Sequence, residues 1–352
     1  MGRRVRRRRP RTSTAGLPRR AEGRVNQSAH GVRPGTPARP GPGASRPDPR
    51  RAGAAFALGG IAFWSTNALA GSSALATLDL GIVLFLQFAS GTLALGVVET
   101  VVRTRSRRRP PSAGSTPLRQ TPTRGDWRTA IWVGTLGFGG TMTFQYVGFA
   151  YAPVVESNII AYGWPMFAAV WLAVTVRNKS TAASLVFAFV GFTGVAMMTL
   201  VQGGHSASGS PLGYVSALLS ALFMAFYTLG VGRTRVPARR VMIIGGTVAC
   251  CSSLVIALAT GADWTPTTAW WAMIYVGVGP CAAGYLLWSV GMTRSHGRLA
   301  PLGYATPLLS TCVLLLDGRT FGGTIAAAGA ACVLLCTVGV LVVDGRSASS
   351  RL

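Results

Sequence analysis

The chain has 352 residues, 49% of them hydrophobic and only 12% charged, which is too apolar for a soluble domain of this size. Its net charge of +25 would suggest nucleic acid if read without its distribution, but the arginines cluster at the ends of long uncharged runs, so no nucleic-acid partner is expected. Those runs point instead to a lipid bilayer.

Residues 1–51 hold 15 of the 34 Lys and Arg, with much Pro and Gly and almost no large apolar side chain. Such a segment builds no core and is expected to be a disordered, basic cytoplasmic tail. It has no apolar stretch that would make it a secretory signal. Three readings stand for it: contact with anionic lipid headgroups, reinforcement of membrane orientation, or a translation start further in.

Crossing the hydrocarbon core as a helix takes about 20 predominantly apolar residues. Arg51 to Asp79 encloses 27 uncharged residues, Arg128 to Glu156 another 27, Glu156 to Arg177 twenty, and Lys179 to Arg233 fifty-three. After these come runs of 22, 30, 18 and 24 residues up to Asp344. The expected helices are 52–75, 79–102, 129–151, 153–176, 181–201, 211–232, 241–260, 269–293, 299–316 and 322–343. The fold class is therefore all-α integral membrane with ten transmembrane helices. From a cytoplasmic N-terminus, every Lys and Arg except Arg319 falls on the cytoplasmic side, as the positive-inside rule asks. Both termini are then cytoplasmic, the short tail 344–352 included, and the chain is placed in the inner membrane.

The chain also repeats itself. Ile61-Ala-Phe-Trp-Ser65 is echoed by Met224-Ala-Phe-Tyr-Thr228, and Tyr162-Gly-Trp-Pro165 by Tyr304-Ala-Thr-Pro307. Gly134 and Gly148 are spaced like Gly277 and Gly291, and Arg177 and Arg319 each follow their proline by twelve residues. The common order of these matches gives two repeats, 52–201 and 211–343. Five helices per repeat is an odd number, so the second repeat enters the membrane from the opposite face. Such a 5+5 inverted repeat is a recurring device of secondary transporters, which hold substrate at the midplane between the halves.

Candidate site residues follow from depth and chemistry. Pro165 and Pro307 are expected helix breaks that free the carbonyls of Ala161 and Gly303. These prolines act either as plain kinks or as breaks whose acceptors face a ligand. Tyr162 and Tyr304 precede them as candidate cavity linings. Trp64, Trp164 and Trp288 lie deep enough to need partners for their indole N–H groups, and with Tyr227, Gln145 and Asn67 they suit an amphipathic, partly aromatic solute. Each alone reads first as helix packing and only second as a ligand contact. Glu156 is the acid expected inside the protein, either as a polar contact for a substrate amine or as a charge favoured by its helix N-terminus. Glu99 is expected at the interface, close to Arg103. Cys332 and Cys336 share a helix face without His or carboxylate, so they are read as packing residues; neither metal nor cofactor is called for. Gly137-Phe-Gly-Gly140 and Phe321-Gly-Gly323 follow no strand and read as close helix contacts.

In this pattern, Gly284-Tyr-Leu-Leu-Trp-Ser-Val-Gly291 and Leu302-Gly-Tyr-Ala-Thr-Pro-Leu-Leu-Ser310 resemble the eighth and ninth helices of the drug/metabolite transporter superfamily, in its branch of duplicated EamA-type domains. The segment Ser210 to Tyr227 resembles the opening of the second domain. The first half is similar to the bacterial aromatic amino acid exporters, which share Trp64-Ser-Thr66 and a Glu eight residues before Trp164-Pro165. In two places the chain departs from the family pattern: Ala161-Tyr162 stands for Asn-Tyr, and Asp317-Gly-Arg319 for Gly-Glu. The resemblance implies a carrier that exports a small metabolite, an amino acid and aromatic ones first; efflux of a drug or another metabolite is the alternative. A membrane-embedded enzyme on lipid-linked substrates would need a His, Asp or Glu cluster at one face, and the loops show none.

Overall fold

The computed structural model describes residues 49–108, 121–177, 179–202, 209–309 and 323–349. Residues 1–48 of the basic tail, Cys312, Arg319 and Phe321-Gly322 lie outside the described residues. Helices dominate, and no strand occurs among the described residues. They are α1 (Pro49–Trp64), α2 (Asn67–Leu75), α3 (Leu80–Arg108), α4 (Arg124–Trp132), α5 (Thr141–Tyr151), α6 (Val154–Ala161), α7 (Trp164–Val176) and α8 (Lys179–Gln202). The chain continues as α9 (Pro211–Gly230), α10 (Ala238–Ala259), α11 (Ala269–Val276), α12 (Tyr285–Ser295), a helix α13 described over 305–309, and α14 (Gly323–Ser349).

Six stretches of helix are long and apolar enough to cross a membrane among the described residues: Leu80–Arg108, Glu156–Val176, Lys179–Met198, Pro211–Arg233, Ala238–Ala259 and Ala269–Ser295. The protein is therefore a multi-pass membrane protein. Many of their exposed side chains are large and apolar, among them Leu93, Val186 and Val255. This is the surface expected where lipid, not water, is the neighbour.

Several expected helices are subdivided. The first breaks at Ser65-Thr66, where both hydroxyls turn back onto backbone carbonyls, Ser65 Oγ to Ala62 and Thr66 Oγ1 to Phe63, each at 2.8 Å. Such bonds compete with the helical ladder. The fourth breaks at Tyr162-Gly163, and Pro165 stands in the first turn of α7, where a missing N–H costs nothing. The ninth opens with a 3-10 turn over Ala300–Tyr304, with Pro307 just inside α13.

The third and eighth expected helices each contain an eight-residue π-helical stretch, Val133–Gly140 and Gly277–Gly284. Both are rich in glycine, and the second holds Pro280. The N-terminal end of α4 starts earlier than expected, fixed by a capping box: Thr123 Oγ1 accepts from the Asp126 N–H at 3.2 Å, and Asp126 accepts from the Thr123 N–H at 2.8 Å. Ser210 caps α9 with Pro211 in its first turn.

The helices pair in a definite pattern. α1 packs on α12 and α5 on α9, α3 on α10, α8 on α14, and α7 on the 3-10 turn at Ala300–Tyr304. The α4–α5 helix also meets α10 through its π-helical stretch, where Gly134 and Gly245 bring the two backbones together. A Cβ built on Gly245 would stand 1.9 Å from the Gly134 oxygen, so no larger residue fits.

Candidate functional site

A cavity opens where α1, α2, α5, α6, α7, α9, α12 and α13 converge. Its wall combines Trp64, Tyr162, Trp164 and Tyr285 with the amides Asn67, Gln145 and Asn158 and the hydroxyls Thr141, Ser220 and Thr306. Ala161, Met142 and Met224 complete it, and no charged side chain takes part. Its volume is about 60 Å³, room for a few waters.

Sequence and fold place these groups for identifiable reasons. The break at Tyr162-Gly163 brings Ala161, Tyr162 and Trp164 to the wall, and Pro165 has no N–H to offer the Ala161 carbonyl. Trp164 lies against the backbone of Gly303, where a Cβ would fall 2.2 Å from the indole ring. Trp64 donates its Nε1–H to the Pro280 carbonyl at 3.1 Å and rests against Tyr285 and Trp288, with centroids 5.0 and 5.1 Å away. Asn67 accepts from the Tyr146 hydroxyl at 3.3 Å, which orients its amide. Ser220 donates to the Thr141 carbonyl at 2.9 Å and so ties α9 to α5. The Thr306 hydroxyl is buried and has no hydrogen-bond partner among the described residues.

Comparison with known proteins now bears on this cavity. Residues 51–200 match the model of the EamA-like transporter family. Residues 51–200 are an EamA-like transporter domain. The chain is also 29% identical over 280 residues to the aromatic amino acid exporter YddG of Ancylobacter novellus, an alignment covering 78% of this chain and 91% of that protein. A solved crystal structure superposes with a TM-score of 0.66 over 84% of this chain and 99% of its own, at 22% identity, which speaks for the fold. The match of residues 51–200 to a transporter family, and of the chain to an exporter, agrees with the resemblance in its motifs.

Seven of the eight candidate residues separate into two layers. Trp64, Gln145, Tyr162 and Trp164 line the cavity. Trp288, Tyr227 and Tyr304 stand behind it, fully buried. Trp288 donates to Thr228 Oγ1 at 3.2 Å and meets Trp164 edge-on at 5.4 Å, while the Tyr227 hydroxyl pairs with Ser289 Oγ at 2.6 Å. Glu156 does not line the cavity. It accepts the Tyr214 hydroxyl and so links the start of α6 to the start of α9.

The acid inside the protein is Glu99, not Glu156. Glu99 is 5% exposed and meets the Nε of Arg103, Arg239 and Arg240. The contact with Arg103 was expected; the burial was not, because two of its partners lie some 140 residues away in sequence. Asn158, Thr141, Ser220 and Thr306 also escaped sequence reading. Small polar residues are frequent in membrane helices, and only the helix contacts show which of them face inward. Among the described residues, no group of three or more metal-binding side chains comes together.

Proposed function

We propose that this transporter exports an amino acid, aromatic ones first, by exposing the cavity alternately to the two sides of the inner membrane, with both termini cytoplasmic. The observation that carries the reading is the pairing of helices. Exchanging each of the first five expected helices with its counterpart in the second five leaves several principal pairings unchanged. The contact of α1 with α12 becomes that of α9 with α5, while α3 with α10, α8 with α14, and α7 with the turn before α13 each map onto themselves. The two π-helical stretches exchange as well. This supports two repeats, 52–201 and 211–343, related by a twofold axis in the membrane plane, and a substrate held where they meet.

The chemistry of the cavity supports the substrate class. Three amides each offer donors and acceptors, which suits a zwitterion whose ammonium and carboxylate need opposite partners. The Thr306 hydroxyl would gain a partner from a bound solute. Trp64, Tyr162, Trp164 and Tyr285 present ring faces and edges to an aromatic side chain. The relative's role as an aromatic amino acid exporter agrees. With room of only about 60 Å³, an amino acid enters only if the walls part, which is what alternating exposure supplies.

Counterflow of radiolabelled phenylalanine, tryptophan and alanine into proteoliposomes tests the proposal. Saturable exchange, fastest for the aromatic substrates, is the expected result. Exchange of a sugar nucleotide or lipid with none of the amino acids would overturn the substrate class. A fusion reporter after Leu352 that reads as external would overturn the orientation.

A further inference from the structure

Away from the cavity, a second concavity of about 850 Å³ lies on the outer side of the bundle, between α3 and α10. Its wall is apolar or weakly polar: Leu93, Gly96, Val97, Thr100 and Val101 from α3 face Ile243, Thr247 and Cys251 from α10. A Cβ built on Gly96 meets nothing within 4 Å, so the space beside it is open.

Both walls lead to arginine. On α3, Gly96, Thr100 and Arg103 follow one another at helical spacing on one face; on α10, Thr247, Ile243 and Arg240 do the same in the opposite direction. Arg103 lies three residues beyond Thr100 and Arg240 three before Ile243, roughly 4.5 Å along each axis at the α-helical rise. The groove therefore ends one turn short of the cluster around Glu99. That cluster holds three guanidinium groups against one carboxylate, and among the described residues no other carboxylate touches them. The Arg103 and Arg240 side chains are 56% and 31% exposed. Glu99 meets each arginine through Nε, and a guanidinium carries five N–H donors in a fork that matches phosphate.

We propose that this groove binds one anionic glycerophospholipid, with its phosphate on Arg103 and Arg240 and an acyl chain along Gly96, Val97 and Thr247. Charge complementarity selects this occupant: an apolar trough ending in surplus positive charge at the membrane surface matches a lipid with a negative headgroup. Such a lipid would bridge a helix before residue 202 with one after residue 209, which the Glu99 cluster already joins. The site is separate from the solute cavity and does not depend on which solute is carried.

Native mass spectrometry of the full chain from micelles doped equally with phosphatidylglycerol and phosphatidylcholine of the same acyl chains tests this. Retention of phosphatidylglycerol over phosphatidylcholine by fivefold or more is expected. Gly96→Leu, which fills the trough while leaving the arginines intact, and Arg103→Gln should each lower that retention at least fivefold. Should Gly96→Leu fail to fold, Thr100→Leu on the same wall takes its place. Equal retention of the two lipids would reduce the groove to ordinary annular lipid and overturn the proposal. So would undiminished phosphatidylglycerol in both variants, which would place the headgroup elsewhere, on the basic tail for example. A wild-type dimer that Gly96→Leu splits would show a second copy of the chain in the groove, and would overturn it equally.

Discussion

Replacing Glu99 by Gln removes the charge that three arginines share while keeping the side-chain size. The Glu99 side chain is 7% exposed, and that of Arg239 19%, whereas Arg103 is more than half exposed. Breaking a buried ion pair by removing one partner costs about 3–5 kcal/mol; because Arg103 can turn to solvent, the lower end, about 3 kcal/mol, is expected for Glu99→Gln. Arg239→Gln leaves the carboxylate two partners and forfeits one charge-assisted bond, about 1.5 kcal/mol. Arg103→Gln removes a largely solvated i,i+4 pair and should cost about 0.5 kcal/mol. Reversible unfolding in mixed detergent micelles, with double-mutant cycles, reads all three. The coupling of Glu99 to Arg239 should exceed its coupling to Arg103 by about 1 kcal/mol. If Arg103→Gln and Arg239→Gln cost the same, or Glu99→Gln costs under about 1 kcal/mol, burial is not what sets the strength of this cluster.

Three further outcomes are expected. Gln145→Leu keeps the volume of a cavity-lining side chain but removes its amide; loss of one hydrogen bond worth about 1 kcal/mol raises the KM for counterflow roughly fivefold, with unfolding unchanged. An unaltered KM would remove Gln145 from the binding surface. Gly245→Ala drives a methyl group into the Gly134 carbonyl, where 1.9 Å is open, and should destabilise by about 2 kcal/mol or more, while Gly96→Ala, with nothing nearby, should be neutral. Equal melting of the two variants would contradict so close a helix approach. Asp126, at the exposed start of α4, has its pKa lowered chiefly by the Thr123 N–H, then by the Thr123 hydroxyl and the Arg235 N–H. A lowered folded pKa means that its contribution is complete above the free aspartate value of about 4 and fades only as pH falls below it. Hydrogen-exchange protection at the start of α4 should follow that course and become flat with pH in Asp126→Asn.

What could be read in the sequence was what depth and punctuation determine. Uncharged runs located the helical segments, and Pro165 with Gly163 marked the break that lines the cavity. Trp64, Gln145, Tyr162 and Trp164, together with Asn67, were legible as cavity residues because large aromatic and amide groups at mid-depth need partners. Trp288 and Tyr227 satisfy the same criterion one layer further back, where Thr228 and Ser289 answer them; sequence spacing does not separate the two layers. The break at Ser65-Thr66 was hidden, since two hydroxyls in an apolar run read as ordinary helix until their bonds to Ala62 and Phe63 are seen. Glu99 was hidden for a different reason. A carboxylate near a helix end with an arginine four residues on looks like an interfacial pair, and its two other partners are contributed by α10.

The two π-helical stretches have a bearing on how such a molecule can flex inside hydrocarbon. A wide turn keeps its amides bonded to carbonyls five residues away, so a helix that contains one can bend without baring a polar group to lipid tails. A soluble protein can hinge at a loop, where water takes over the loosened amides. Here the pliable points must be internally satisfied, and the wide turns of Val133–Gly140 and Gly277–Gly284 bond along the helix except at Pro280, which has no N–H to give.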